Sequence, residues 1–255
     1  MTTYNDTYLK KLFRNIKPDT VILASWLSSI GVSRDLQRYY RESGWLESIG
    51  RGAFKRPGDN ITWQSGLYAL QYQSDLNIHA GALTSLGLQG LGHYFRSSEE
   101  KVFLFAPRKT SLPKWFRDYY QNNNIHFQET DFLPEKSGLI EHEEKTFTIR
   151  ISSPERAILE CLYLSPDTID LVESYHIVEG LANLRPKLMQ ELLQASKSIK
   201  VNRLFLYMSE KAGHSWFQFL DQSLIETGSG CRTFASGGVY VAKHNIVVPE
   251  ELTLL

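Results

Sequence analysis

Thr20-Val-Ile-Leu-Ala-Ser-Trp-Leu-Ser-Ser-Ile30, then Gly31-Val32, then Ser33-Arg-Asp-Leu-Gln-Arg-Tyr-Tyr-Arg-Glu-Ser43 is the stretch that decides how this chain is read. The first run places Leu23, Leu27 and Ile30 on one helical face and predicts a helix over 20–30. Gly31-Val32 closes it, and Ser33 stands where the next helix needs an N-cap. In that second helix Arg34, Gln37, Arg38 and Arg41 fall at i, i+3, i+4 and i+7, a single stripe, with Leu36, Tyr39 and Tyr40 on the other side. An apolar back and an Arg/Gln front suit a polar, negatively charged partner, so duplex DNA is the first candidate. Arginine can pair with guanine through two hydrogen bonds and glutamine with adenine in the same way. Ser33 and Arg34, nearest the helix start, would approach the bases most closely, whereas Arg41 is placed to hold phosphate.

The sequence on either side fits that expectation. Trp45-Leu-Glu-Ser-Ile49 alternates like a strand, Gly50-Arg51-Gly52 can supply the positive φ values of a turn, and Ala53-Phe-Lys-Arg56 returns. Arg51 at the tip and Lys55 and Arg56 on the return strand suit phosphate or minor-groove contact beside the helix. Upstream, Leu9, Leu12, Phe13 and Ile16 predict a helix over 4–16 that Pro18 ends. Three helices and a hairpin are the plan of a winged helix-turn-helix. Trp26, Tyr39, Tyr40, Trp45 and Phe54 read as the core of this small unit rather than as stacking platforms for bases. A further helix is expected over 62–73.

The 255 residues balance to zero net charge, but unevenly. Residues 1–58 hold ten basic and five acidic side chains, and the remainder carries the compensating acidic excess. A basic module on an acidic body concentrates phosphate affinity in one place. No apolar run of membrane length occurs and no basic-then-apolar leader is visible, so the expectation is a cytoplasmic chain without a membrane partner. Cys161 and Cys231 are isolated, which fits a reducing compartment better than a disulfide.

Beyond Leu76 short apolar strands, Val102-Phe-Leu-Phe-Ala106 and Thr146-Phe-Thr-Ile-Arg-Ile151, alternate with helical stretches over 83–88, 115–121, 154–163, 167–181 and 185–208, the last with a break. Strand is expected again over 232–248. Without a strict βαβ rhythm this predicts an α+β fold, divided into a DNA-binding unit over 1–75 and a mixed α/β unit over 76–255 that pack closely.

Ser33-Arg-Asp-Leu-Gln-Arg-Tyr-Tyr-Arg-Glu-Ser-Gly-Trp-Leu-Glu-Ser-Ile-Gly-Arg-Gly-Ala-Phe-Lys-Arg-Pro-Gly-Asp59, with Thr62-Trp-Gln64 and Leu67-Tyr-Ala-Leu70, resembles the N-terminal signature of the AbiEi-type antitoxins. Ile78 to His93 continues the likeness, and Ser153-Pro-Glu-Arg-Ala-Ile-Leu-Glu160 is its best later segment. The resemblance implies a winged-helix domain joined to an antitoxin domain. It implies a regulator that represses its own operon through inverted repeats. It also implies opposition to a nucleotidyltransferase-like toxin without a stable complex.

Other chemistries are weaker. The seven histidines lack metal-ligand spacing, and no cofactor or metal is called for. Asp131 with Glu143-Glu-Lys145 loosely matches a metal-dependent nuclease, which makes a DNA nuclease guided by the winged helix the competing reading. Gly228-Ser-Gly230 and Gly237-Gly238 lack the strand-then-helix context of a phosphate loop. A ligand-responsive repressor is a third reading, for which the sequence argues no pocket.

Overall fold

The computed structural model describes residues 16–91 and 101–255; the helix expected over 4–16 lies outside them apart from Ile16. The first unit runs β1 (Ile22–Leu23), α1 (Ala24–Ser29), α2 (Arg34–Glu42), β2 (Glu47–Gly50) and β3 (Ala53–Lys55). Its sheet has the order β1-β3-β2, all antiparallel, with Ile22 opposite Phe54 and Ser48 opposite Phe54 on the other side. The helix expected over 20–30 is therefore shorter than its apolar spacing suggested. Val21 and Ile22 are β-branched, and Leu23 N donates to Gln73 Oε1 at 2.8 Å, so the first turn is strand. Ile16, Ile22, Leu27, Val32, Tyr40, Leu46 and Phe54 form a small core beneath the two helices.

The hairpin glycines divide their work. Gly52 has φ +78° and makes the turn, as expected. Gly50 does not adopt a positive φ; it is needed for close approach, because a Cβ there would stand 2.8 Å from Trp115 Cβ. The hairpin thus rests on the second unit.

That unit is built on a five-stranded sheet of β4 (His79–Ala80), β5 (Val102–Ala106), β6 (Ile125–Glu129), β7 (Leu139–Glu143) and β8 (Thr148–Ser152) in the order β6-β5-β4-β8-β7. β5 pairs parallel with β6 and β4 parallel with β8, while β4/β5 and β7/β8 are antiparallel. Every residue of β5 is buried, and the strand's two-residue period sends them to opposite layers. Val102, Leu104 and Ala106 join one core and Phe103 and Phe105 the other.

On the first face lie α3 (Trp63–Tyr72) and α5 (Lys114–Tyr119), together with Val21, Leu23 and Ala53 of the small unit. On the second lie α4 (Ala82–Leu88), α6 (Pro154–Leu164), α7 (Leu171–Gly180), α8 (Pro186–Ala195) and α9 (Ile199–Ala212). A second three-stranded sheet of β9 (Arg232–Thr233), β10 (Val239–Val241) and β11 (Ile246–Val248), then α10 (Glu250–Leu254), closes that layer.

Helix α3 joins the two units. Gln73 clamps β1, accepting from Leu23 N and donating to Val21 O at 2.7 Å. Two residues earlier, Gln71 donates to Ile78 O and Arg150 O and accepts from Arg150 N at 2.8 Å, which fixes the same helix to the large sheet. Gly66 lets α3 meet α5: a Cβ there would stand 2.5 Å from the Tyr120 ring and 2.7 Å from the Phe116 ring. The small unit is held against the body by its hairpin and its exit helix together.

Candidate nucleic-acid interface

Helix α2 begins where the sequence placed its cap, with Ser33 Oγ accepting from Leu36 N at 3.2 Å. That satisfies an otherwise unpaired amide of the first turn and engages the hydroxyl within the helix. Gln37 and Tyr40 are buried and Leu36 is half-buried, so the helix faces the core on that arc. Arg34, Arg38 and Arg41 are exposed. The Arg41 guanidinium lies 5.8 Å from the Phe54 ring centre on β3, which puts the arginine stripe on the flank nearest the hairpin. By helical spacing Asp35 and Glu42 occupy the exposed arc farther from it.

Gln37 must be removed from the reading face. It is 5% exposed, and its amide nitrogen reaches Val32 O at 2.9 Å, Ser28 Oγ at 3.0 Å and Ala24 O at 3.2 Å. The side chain ties α2 to α1 and to the turn between them and cannot reach a base without breaking that lock. Gln37→Ala is expected to destabilise the chain by about 1–3 kcal/mol by stranding buried carbonyls. Urea denaturation should show this, and any loss of DNA affinity should be equal for all sequences.

Arg38 donates to Asp35 Oδ1 at 2.9 Å, an exposed pair of the kind that contributes little and releases easily. Arg51 is exposed at the hairpin tip. Lys55 and Arg56 are half-buried and partly committed: Lys55 Nζ donates to Asp59 O at 3.0 Å and stands 3.3 Å from Glu47 Oε2, and Arg56 Nε stands 3.3 Å from Asp59 Oδ2. Arg34, Arg38 and Arg41 thus share one exposed flank of α2 and Arg51 is exposed at the hairpin tip, while Lys55 and Arg56 are half-buried and engaged with Asp59.

Two aromatics expected in the core are on the surface instead. Tyr40 and Phe54 are buried and Trp26 half-buried, but Tyr39 is 47% and Trp45 45% exposed. Tyr39 lies four residues after Asp35 and three before Glu42 and so shares their exposed arc, a signal that helical spacing carried and residue type masked.

The nuclease trio does not assemble. Asp131 follows β6 and Glu143 ends β7, the two opposite edges of the five-stranded sheet. Four strand spacings separate them, about 19 Å, too far for a shared divalent ion. Among the described residues no three His, Cys, Asp or Glu side chains converge as a metal site.

The second unit instead has a buried polar centre. Glu160 is fully buried and accepts from His79 Nε2 at 2.9 Å, Arg156 Nε at 2.8 Å, Ser152 Oγ at 2.7 Å and Ala82 N at 3.0 Å. Gly81 is required beside it, since a Cβ there would stand 2.2 Å from Glu160 Oε2. Burial pushes the Glu160 carboxyl up, but the His79 ring, the Arg156 guanidinium and the Ser152 hydroxyl outweigh burial and hold it at about 2. Burial also pushes His79 below its ordinary value, outweighing the pull of Glu160. Nearby, Glu155 accepts from Arg185 Nε at 2.9 Å and Nη2 at 2.8 Å.

Two family models cover the chain end to end. Residues 5–97 match the model described as "Transcriptional regulator, AbiEi antitoxin N-terminal domain", and residues 99–249 match "Transcriptional regulator, AbiEi antitoxin, Type IV TA system". The chain belongs to the AbiEi antitoxin family. Members of that family are transcriptional regulators of type IV toxin–antitoxin systems, and the resemblance seen in the sequence holds over both units. No curated protein matches the chain. Among solved structures, the "RV2827C protein from Mycobacterium tuberculosis" aligns with a TM-score of 0.60 at 14% identity, over 97% of this chain and 92% of that one, a likeness of fold alone. In this AbiEi antitoxin the two second-unit segments that carry the sequence resemblance meet at one point. His79, Gly81 and Ala82 come from the first, Arg156 and Glu160 from the second, and Glu160 is their junction. Among the described residues no helix is long and apolar enough to cross a membrane.

Proposed function

We propose that this AbiEi antitoxin is a sequence-specific, non-enzymatic DNA-binding regulator. Residues 1–75 form a winged helix-turn-helix that binds operator DNA upstream of its own gene, and residues 76–255 carry the antitoxin activity. The observation that carries the reading is the exposed arginine flank of α2 beside the hairpin, with Arg41 over Phe54 and Arg51 at the tip. Helix α2 enters the major groove, Arg34 and Arg38 reach base edges, Arg41 holds phosphate, and the hairpin acts as the wing. Ser33 contributes through its cap, and Lys55 and Arg56 contribute only long-range positive potential.

One chain presents one such helix, so an inverted repeat takes two copies. Operon repression follows from occupancy of that repeat. The functional partner is a nucleotidyltransferase-like toxin, opposed without a stable complex, and the setting is the cytoplasm.

A gel-shift titration against the DNA upstream of this gene tests the reading: two chains per duplex with an inverted repeat are expected, and no shift at physiological salt refutes it. Arg38→Ala is expected to weaken operator binding by about 1–2 kcal/mol and blur preference at one base pair, with random DNA much less affected. Equal losses on both would remove Arg38 from base reading. Arg51→Ala should weaken every duplex alike and lower the slope of log affinity against log salt by about one unit; an unchanged slope would take the wing tip out of the phosphate contacts.

A further inference from the structure

A cavity of about 380 Å³ opens in the body where the parallel strands β5 and β6 end side by side. We propose that it binds a small zwitterion of the α-amino-acid class. The carboxylate would sit on Arg156 and Lys197 and the ammonium on Asp131 and Glu135. His79 and Arg156 line the cavity although only 4% and 5% of each is exposed, so their reachable surface is turned into it.

Arg156 is clamped. Its Nε is held by Glu160 and its Nη1 by Pro134 O at 2.6 Å and Ser137 O at 2.7 Å. Nη2 is the guanidinium edge left for a ligand. A fixed guanidinium edge recognises a carboxylate at low entropic cost. His79 commits Nε2 to Glu160, which leaves Nδ1 as the ring nitrogen for a donor.

The rim carries both signs. Lys197, exposed, is fixed by its backbone N donating to Phe132 O at 2.9 Å. Asp131 accepts from Arg108 N at 3.1 Å and makes a loose, exposed pair with Arg108 Nε at 3.8 Å that a ligand ammonium would have to share or displace, and Glu135 accepts from Asn77. A simple anion would meet Asp131 and Glu135, and a simple cation would meet Arg156 and Lys197. A molecule bearing both charges satisfies both sides, while Phe105 and Leu133 offer an apolar wall for its side chain. The volume lies at the small-molecule end of ligand pockets.

Isothermal titration of the full chain with each of the common α-amino acids tests this, with sodium acetate and ethylammonium chloride as half-ligands. At least one amino acid is expected to saturate with a dissociation constant below about 1 mM, and neither half-ligand should. Lys197→Ala and Asp131→Ala, both at exposed positions, should each weaken binding tenfold or more while leaving the melting temperature in place. The proposal is overturned if no amino acid saturates, if acetate or ethylammonium binds as tightly, or if both variants bind unchanged. A loss confined to one charge partner also overturns it, because a simple ion then suffices.

Discussion

Glu160→Ala is expected to cost the fold about 3–5 kcal/mol, because removing one partner of a buried ion pair leaves the other charge uncompensated. The arginine left behind is Arg156, 5% exposed, and His79, Ser152 and Ala82 N lose their acceptor with it. The substitution also disconnects β4 and α4 from α6, so the loss should appear as a cooperative drop in urea midpoint rather than as local fraying. A change below about 1 kcal/mol, the scale of an ordinary hydrogen bond, would mean that the pair is structurally idle.

The same centre sets an acid limit. The folded Glu160 carboxyl, at about 2, lies below its ordinary 4.5, so its stabilisation is complete above pH 4.5 and is lost as pH falls toward 2. Folded His79 lies below its ordinary 6.5, so the unfolded chain takes up that proton first and stability falls as pH drops below 6.5. Both contributions act in one direction. Wild-type stability should decline on acidification, and Glu160→Ala should lessen the decline between pH 4.5 and 2, to which Glu155 and Glu210, also held below their ordinary value, still contribute.

Gly66→Leu is expected to destabilise by about 3 kcal/mol or more, the upper range for forcing bulk into a packed core. The added Cβ alone would stand 2.5 Å from the Tyr120 ring, and Phe116 and Tyr120 are both buried. Helix α3 would have to lift from α5, and Gln73, which clamps β1, would move with it. Gly87→Leu is the control. An added Cβ at Gly87 has nothing within 4 Å, so that change should be neutral or slightly favourable through helix propensity. Comparable melting temperatures for the two variants would contradict the close docking of α3 on α5.

The contrast between Gly66 and Gly87 shows what the sequence carried and what it did not. Both read simply as glycines within helical patterns, and only the packing of α3 on α5 distinguishes them. Likewise Arg34, Gln37, Arg38 and Arg41 share a stripe by spacing, yet Gln37 lies toward the core edge of that stripe. Its direction was decided by Ala24 O and Val32 O, acceptors that exist only once α1 and α2 have packed. Helix α2 was legible because it buries one face in a regular period, α6 and β5 because each is a dense apolar run of helix or strand length, and the hairpin because glycines mark its turn. Strand β6 was not, since Ile125-His-Phe-Gln-Glu129 is half-exposed at the sheet edge and mixes polar with apolar residues. The open arginine flank could be read from local chemistry, but the buried centre at Glu160 could not. Its partner His79 is far away in sequence, and a Glu inside an apolar helix gives no hint of which donors will surround it.

The central claim is that the arginine flank of α2 reads a duplex sequence. The most direct test is fluorescence anisotropy with wild-type chain at physiological salt, comparing the inverted repeat upstream of its gene with a scrambled duplex of equal length and composition. Preference for the repeat by about a thousandfold or more is the expected result, collapsing toward unity in the Arg34→Ala/Arg38→Ala double variant with its melting temperature intact. Equal affinity of the wild-type chain for both duplexes, or a double variant as selective as the wild type, would contradict it.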